Sequence, residues 1–472
     1  MQFDRYMLSV AAAVHNDVVP EITESYPRHR VELAETMLLR LAADAAGGFG
    51  REFVAELAKV RGGMAEAALP QALGEALDHL AQLDPADDAA IGRGRVALSR
   101  LLAENSKAID RAFILSLTGA IAKAEEACRT AREAAIAQMA SRLGHKAGSA
   151  EELVVSADQM SDYLRRRFGR QDCLATTVKP IPGGRSKGTI LLDARVGEEA
   201  RSFVIRKDFS KNFMGSMVKD EYPVIRAAFD AGIKVPEPLW LEEDAGILNG
   251  QFIVFERIAG GPAGTMFDIM AGPGVIRDYA QQLARMHRID VEATGLDRQL
   301  KFGDSEAPVA AMVRQSYSKH RANTPDELLL EVAHQWLLAN LDCVSQRRAL
   351  VHGDAGFHNV LYDGDRMTGL LDWELAHVGD AAEDLMKCRA AASQVIPWEE
   401  FMNIYTDHGG EPTTPLREKF FTVWRLVDFS LYAADARAMF ESGEDSDLRL
   451  AAVGYNTFSR LQSALAAALA HD

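Results

Sequence analysis

The 472-residue chain is poor in cysteine: it has four, and no two of them form a C-x-x-C pair. Cys128, Cys173, Cys343 and Cys388 lie far apart, which argues against a zinc site or a disulfide framework and predicts reduced, mostly buried thiols. Long apolar runs are missing too. No stretch reaches the roughly 18 apolar residues of a membrane span, and the first twenty residues carry Asp4, Arg5, His15 and Asp17 with no signal-like core. A cytoplasmic location and no membrane partner are expected. Cations are outnumbered, 52 Lys and Arg against 68 Asp and Glu, for a net charge of −16. That balance argues against a dedicated nucleic-acid binder, because a phosphate backbone needs a cationic surface. It leaves nucleotides open, since a local cation and a metal hold a triphosphate whatever the global charge. A composition 48% hydrophobic and 25% charged excludes disorder as the main state.

What is present changes in texture along the chain. Residues 1–150 are rich in Ala, Leu and Glu, and Val31 to Ala46 and Ala112 to Leu143 repeat apolar residues at helical spacing. Breaks at Gly47-Gly48, Gly62-Gly63 and Asp84 to Asp88 predict an all-helical domain of three to six helices. From Ser156 a short amphipathic helix with a basic end, Arg165-Arg166-Arg167, leads into strand-like runs. Leu174 to Ile181, Thr189 to Arg195 and Arg201 to Arg206 read as antiparallel strands, Val218 to Ala231 as a helix, and Phe252 to Glu256 as a further strand. Helices dominate after Gly260-Gly261. The expected division is 1–150, 156–258 and 259–472.

The exception within the last part is the segment from Ala349 to Asp384. An apolar run enters His352-Gly353-Asp354, Asn359 follows five residues after the Asp, a hairpin turns through Asp363-Gly364-Asp365, and Leu370-Leu371 ends in Asp372-Trp373-Glu374. Such a unit converges three oxygen-bearing side chains. Asp354 can accept a proton from a hydroxyl, while Asn359 and Asp372 supply the hard oxygens that suit Mg²⁺. Phosphoryl transfer needs those parts.

These residues resemble the aminoglycoside phosphotransferase and choline kinase group, whose hallmark is H-G-D-x-x-x-x-N, then D-W-E or D-x-x, then G-D-x-x-x-D. His352 to Asp384 matches every element. The string from Val360 to Asp380 is most similar to the branch that includes kinase domains fused to acyl-CoA dehydrogenases, and the resemblance runs from about residue 170 to 440. It implies an α+β, protein kinase-like bilobal fold, a small antiparallel β lobe plus a helical lobe, here with an extra N-terminal all-helical domain. It further implies ATP or GTP and Mg²⁺ as cofactors and a small-molecule hydroxyl as acceptor.

On that template, Pro182 to Thr189 is the loop over the phosphates, with Gly183, Gly184 and Ser186 as contacts; Lys187 stands where relatives carry Asn. A P-loop is excluded, because Gly-Lys-Ser/Thr is missing and a strand follows instead of a helix. Arg206 aligns with the basic residue of the third strand and Lys207 is the alternative; only one can face inward. Glu221 resembles the helix Glu that holds that base. Glu256, Arg257 and Ile258 resemble the hinge that meets the purine edge.

Bland roles are expected for several neighbours. His352 and Asp384 are read as scaffold, Asp380 as a helix N-cap, and His358 and His377 as solvated or hydrogen-bonded; Glu374 is open between a second metal or substrate contact and a salt bridge. The implied activity is a small-molecule kinase with Asp354 as catalytic base, and a hydroxyacyl-CoA or other hydroxylated metabolite as acceptor. An aminoglycoside-type antibiotic phosphotransferase and a non-catalytic nucleotide-binding scaffold are the alternatives. A protein kinase fits less well, since Gly353 replaces the usual Arg and no D-F-G to A-P-E segment follows. Self-association through residues 1–150 is a further expectation.

Overall fold

The computed structural model describes residues 50–61, 71–84, 87–105, 111–140, 155–181, 187–209, 216–265, 268–441 and 452–470, together with Ala11, Ala34 and Leu450. Two compact units are formed, neither of them a single stretch of chain: 150–309 with 344–418, and 1–149 with 310–343 and 419–472.

The first of these holds the strands. Helix α1 (Ala157–Phe168) starts at Ser156, whose hydroxyl accepts the Gln159 N–H, and stops at Gly169 in the left-handed region. Strands β1 (Cys173–Ile181), β2 (Lys187–Val196) and β3 (Glu199–Asp208) follow, then helix α2 (Val218–Asp230), β4 (Pro238–Glu242) and β5 (Phe252–Glu256). They make one antiparallel sheet in the order β1-β2-β3-β5-β4. Alternation sets its faces. Ile190, Leu192 and Ala194 of β2, Phe203 and Ile205 of β3, and Phe252 and Val254 of β5 pack with Met160, Tyr163 and Leu164 of α1. The intervening residues Thr189, Val204, Arg206 and Phe255 are thereby turned to the other face, where the cavity described below lies.

The same unit continues with β6 (Gly261–Pro262), helix α3 (Pro273–Met286), β7 (Ala349–Val351), β8 (Val360–Asp363), β9 (Arg366–Leu370), β10 (His377–Gly379), and helices α4 (Ala382–Ala392) and α5 (Trp398–Asp407). Strands β6, β8 and β9 form a small sheet, and β7 pairs with β10. The β8-β9 hairpin turns at Gly364-Asp365, as its sequence predicts.

The other unit is helical. Its helices Gly50–Arg61, Gln71–Ala81, Asp88–Asn105 and Arg111–Ala140 precede Leu328–Ala339 and Phe458–Ala470 in the chain. Helix Arg111–Ala140 buries Leu117, Ala120, Ile121, Ala124 and Cys128, a 3.6-residue stripe, and packs on Gly50–Arg61, Leu328–Ala339 and Phe458–Ala470. Ser99 donates to the Pro325 carbonyl at 2.8 Å. The helix expected over Val31 to Ala46 lies, apart from Ala34, outside the described residues. Among the described residues no helix is long and apolar enough to cross a membrane. The four cysteines remain thiols, with Cys128, Cys173 and Cys388 buried and Cys343 half-buried.

Candidate active site

Strand β7 delivers the chain into a loop held by one carboxylate. Asp384, fully buried in the first turn of α4, accepts the backbone N–H of His352 at 2.8 Å and of Gly353 at 3.0 Å. Its Oδ2 also meets His287 Nε2 at 3.0 Å, and His287 Nδ1 lies 2.8 Å from the Tyr405 hydroxyl. Burial works against the charge on Asp384, but His287 outweighs it and holds the carboxyl below its usual range. His352 keeps its ring on the Leu371 carbonyl at 2.9 Å and against Trp373, and burial keeps its pKa low. Both residues are scaffold, as expected. Gly353 sits at φ +79°, where a Cβ would come within 2.5 Å of the Leu375 carbonyl, so only glycine fits.

Asp354 follows. Asn359 Nδ2 donates to its Oδ2 and to its backbone carbonyl, each at 2.9 Å. His358 Nε2 lies 3.0 Å from Oδ2, and Lys387 Nζ of α4 lies 2.5 Å from Oδ1. Burial disfavours the carboxylate, yet His358 and Lys387 together outweigh it and hold the group well below the usual carboxylate range. Asp354 is thus ionised at neutral pH.

Asp372 ends the segment after β9 at φ +65°, a strained conformation that turns its carboxylate across to β3. There Arg206 Nη2 meets its Oδ1 at 2.5 Å. Lys207, one residue on, faces the opposite way and donates to the Asn249 carbonyl. Of the two bases left open by the sequence, Arg206 is the one on the side of Asp372. Glu221 of α2 is 2% exposed and lies 3.8 Å from Arg206 Nε, but only 2.6 Å from Lys187 Nζ. Lys187 also donates to the Ser216 carbonyl and lies 3.4 Å from Glu374. Glu374 thus forms a salt bridge with Lys187. Asp380 is bound by Arg417 through Nε and Nη2 and by the N–H groups of Ser345 and Ala382, which leaves it a structural anchor beside the α4 start. His377 pairs with Glu383 at 3.2 Å.

Beside Arg206 opens a cavity of about 140 Å³ lined by Val204, Ile225, Phe255, Ile258, Leu361 and Leu370, with Arg206, Glu221, Glu256 and Asp372 among its polar members. It is a mainly apolar slot with several charged residues in its lining, and such a lining suits a flat heterocycle. In the hinge segment the N–H groups of Glu256 and Arg257 are spent on the Glu237 and Ser202 carbonyls. Gly183, Gly184 and Ser186 lie outside the described residues.

The donor set fits Mg²⁺. Asn359 commits its amide nitrogen to Asp354, which leaves its oxygen for a cation, and the Asp372 carboxylate supplies a second hard donor. Among the described residues no group of three or more His, Cys, Asp or Glu forms a metal cage. Mg²⁺ asks for none, because it takes one or two protein oxygens and completes its shell with water and phosphate.

Three residues of this site carry no signal in the sequence reading: Lys387 and His358 as partners of Asp354, and Lys187 as the near partner of Glu221. His358 stands four residues after Asp354, and Lys387 one helical turn after Asp384; those spacings are the only local hints.

The rat acyl-CoA dehydrogenase family member 11 (Rattus norvegicus) is 26% identical over 231 residues, 46% of this chain and 28% of that protein. The mouse family member 10 (Mus musculus) is 27% identical over 242 residues, 49% of this chain and 22% of that protein. The chain therefore spans less than a third of the length of these relatives. Viomycin phosphotransferase of Streptomyces vinaceus is 31% identical over 167 residues, 34% of this chain and 56% of that enzyme. The crystal structure of a candidate aminoglycoside phosphotransferase from Ralstonia eutropha superposes with a TM-score of 0.50 at 15% identity, covering 66% of this chain and 98% of that one, which shows a shared fold. Residues 177–421, more than half of the chain, match the model of the phosphotransferase enzyme family. With an antiparallel sheet, a carboxylate-bearing loop and an apolar slot on a kinase-like fold, the chain belongs to the phosphotransferase enzyme family.

Proposed function

We propose that this protein is a small-molecule kinase that transfers the γ-phosphoryl group of ATP or GTP to a substrate hydroxyl with Mg²⁺. The observation that carries the reading is the placement of Asp354, ionised and pinned by Asn359, His358 and Lys387, in one unit with the Arg206–Asp372 pair and the slot. Asp354 accepts the hydroxyl proton as the acceptor oxygen bonds to the γ-phosphorus and the bond to the β,γ-bridging oxygen breaks. Asn359 and Asp372 hold Mg²⁺, which neutralises phosphate charge when bound. Arg206 adds a cation, steadied by Glu221, and Gly183, Gly184 and Ser186 cover the phosphates. Glu256 and Ile258 present backbone groups to the base. Positioning and charge neutralisation account for the catalysis.

For the acceptor, a hydroxyacyl-CoA or another hydroxylated metabolite is favoured by the relatives among the acyl-CoA dehydrogenase family. An antibiotic acceptor is the second reading, favoured by the match to viomycin phosphotransferase. A phosphoryl-transfer screen with Mg-ATP against hydroxyacyl-CoAs, choline-like alcohols, sugars and aminoglycosides decides between them, with Asp354→Asn alongside. Turnover lost by a factor of about 10² or more in that variant supports the base; near-normal turnover sinks it. Self-association through residues 1–150 is part of the same proposal, and a monomeric mass by light scattering of the full chain removes it.

A further inference from the structure

The catalytic loop contains no lysine or arginine: between Asp354 and Asn359 stand Ala355, Gly356, Phe357 and His358. The cation beside Asp354 comes instead from α4. Lys387 lies one turn beyond Asp384, the residue that grips the loop backbone, so the helix that fixes the loop also aims this side chain at it. Its side chain is 10% exposed, and an ammonium so deeply placed needs a counter-charge, which Asp354 Oδ1 gives at 2.5 Å. Room for the arrangement is made by Gly356. A Cβ there would lie 2.6 Å from His358 Cε1, so the bare glycine lets that ring close over the loop, while Lys387 Cε at 3.4 Å would remain in ordinary contact.

The two oxygens of Asp354 are used unequally. Oδ2 accepts from Asn359 and faces His358, which fills its two lone pairs. Oδ1 meets Lys387, which takes one of its two lone pairs and leaves the other for an incoming hydroxyl. We infer that Lys387 is a positioning residue for phosphoryl transfer: it fixes the rotamer of Asp354 so that Oδ1 is the oxygen that meets the acceptor. The inference rests on the reading of Asp354 as the base. Lys387 does not line the nucleotide cavity, so its effect falls on the acceptor side of the reaction.

The test uses the full chain with Mg-ATP and water as acceptor, followed by ADP release, and a fluorescent ATP analogue for binding. Water oxygen bonds to the γ-phosphorus, the bond to ADP breaks, and phosphate and a proton are released. Lys387→Met is expected to slow this turnover about 10- to 100-fold with nucleotide affinity unchanged within about two-fold, as loss of a positioning group does. Lys387→Arg recovers part of the rate, and propylammonium added to Lys387→Ala does the same. Turnover of Lys387→Met within two-fold of wild type, or an equal loss of turnover and nucleotide affinity, overturns the inference. The pair has a second readout that needs no turnover. The melting temperatures of Lys387→Met, Asp354→Asn and the double variant are non-additive if the two groups are coupled; additive losses overturn the pairing. A wild type no faster than Asp354→Asn counts against the base itself, and the melting cycle then judges Lys387 alone.

Discussion

Lys187 lies nearer to Glu221 than Arg206 does, 2.6 Å against 3.8 Å, and its side chain is 1% exposed. One buried carboxylate therefore serves two cations from neighbouring strands. Burial raises the pKa of Glu221 even though both cations oppose the rise. Removing the nearer cation strands that charge. Lys187→Met is expected to cost on the order of 3 kcal/mol of stability, the toll of an uncompensated buried ion. Denaturant melts of Lys187→Met and Arg206→Met check this: a larger loss for the arginine variant would contradict it.

Arg206 and Lys207 differ in the face they serve. Arg206→Met is expected to weaken nucleotide binding by about 10- to 100-fold, since a charge-assisted contact of this kind contributes roughly 1.5–3 kcal/mol. Lys207→Met should leave affinity within about two-fold, because that side chain binds the Asn249 carbonyl on the other side of the sheet. Titration with a fluorescent ATP analogue separates them. Equal effects would show that strand register does not decide the matter.

Gly353 adopts φ +79° against the Leu375 carbonyl. Gly353→Ala is expected to lose about 2 kcal/mol or more, through positive φ and the clash with backbone that has no flexible end to move aside. The change should also displace the N–H groups that Asp384 holds. Thermal melts and a turnover assay together check it, and an alanine variant as stable as wild type would remove the strain argument.

His377 and Glu383 form a buried pair. Burial disfavours the imidazolium, but Glu383 and the Leu375 carbonyl outweigh it and push the pKa up to about 9. A raised folded-state value stabilises the protein below the unfolded histidine value near 6.5, and the contribution fades as pH rises through 9. Glu383→Gln should therefore lose on the order of 2 kcal/mol at pH 6 and much less at pH 9.5. A stability difference independent of pH would show that the pair is not charged.

The elements around the site were legible where one period ruled. Phe252–Glu256 is a five-residue apolar strand between a Gly and charged residues, and it is found at the expected residues. Strands β2 and β3 run further than their apolar cores, to Lys187 and Asp208, because the ladder pairs those two residues directly. Lys187 reads in the sequence as part of the glycine-rich loop that precedes β2. Helix α3 starts at Pro273, since proline suits the first helical turn. Asp354, Asn359 and Asp372 were legible because a short spacing carries them. Lys387 was not, because the contact spans more than thirty residues and depends on how α4 docks, and Lys187 was misplaced because its partner Glu221 is a tertiary neighbour.

The helix Arg111–Ala140 packs on Leu328–Ala339 and Phe458–Ala470, and the strand-bearing unit is likewise closed by residues 344–418. During synthesis the apolar stripe through Leu117, Ile121 and Cys128 is therefore made long before the helices that cover two of its sides. Neither unit can complete its core until the chain has passed through the other. Folding of this protein is tied to late, long-range closure, which slows it and lengthens the time its nascent surface needs protection from association.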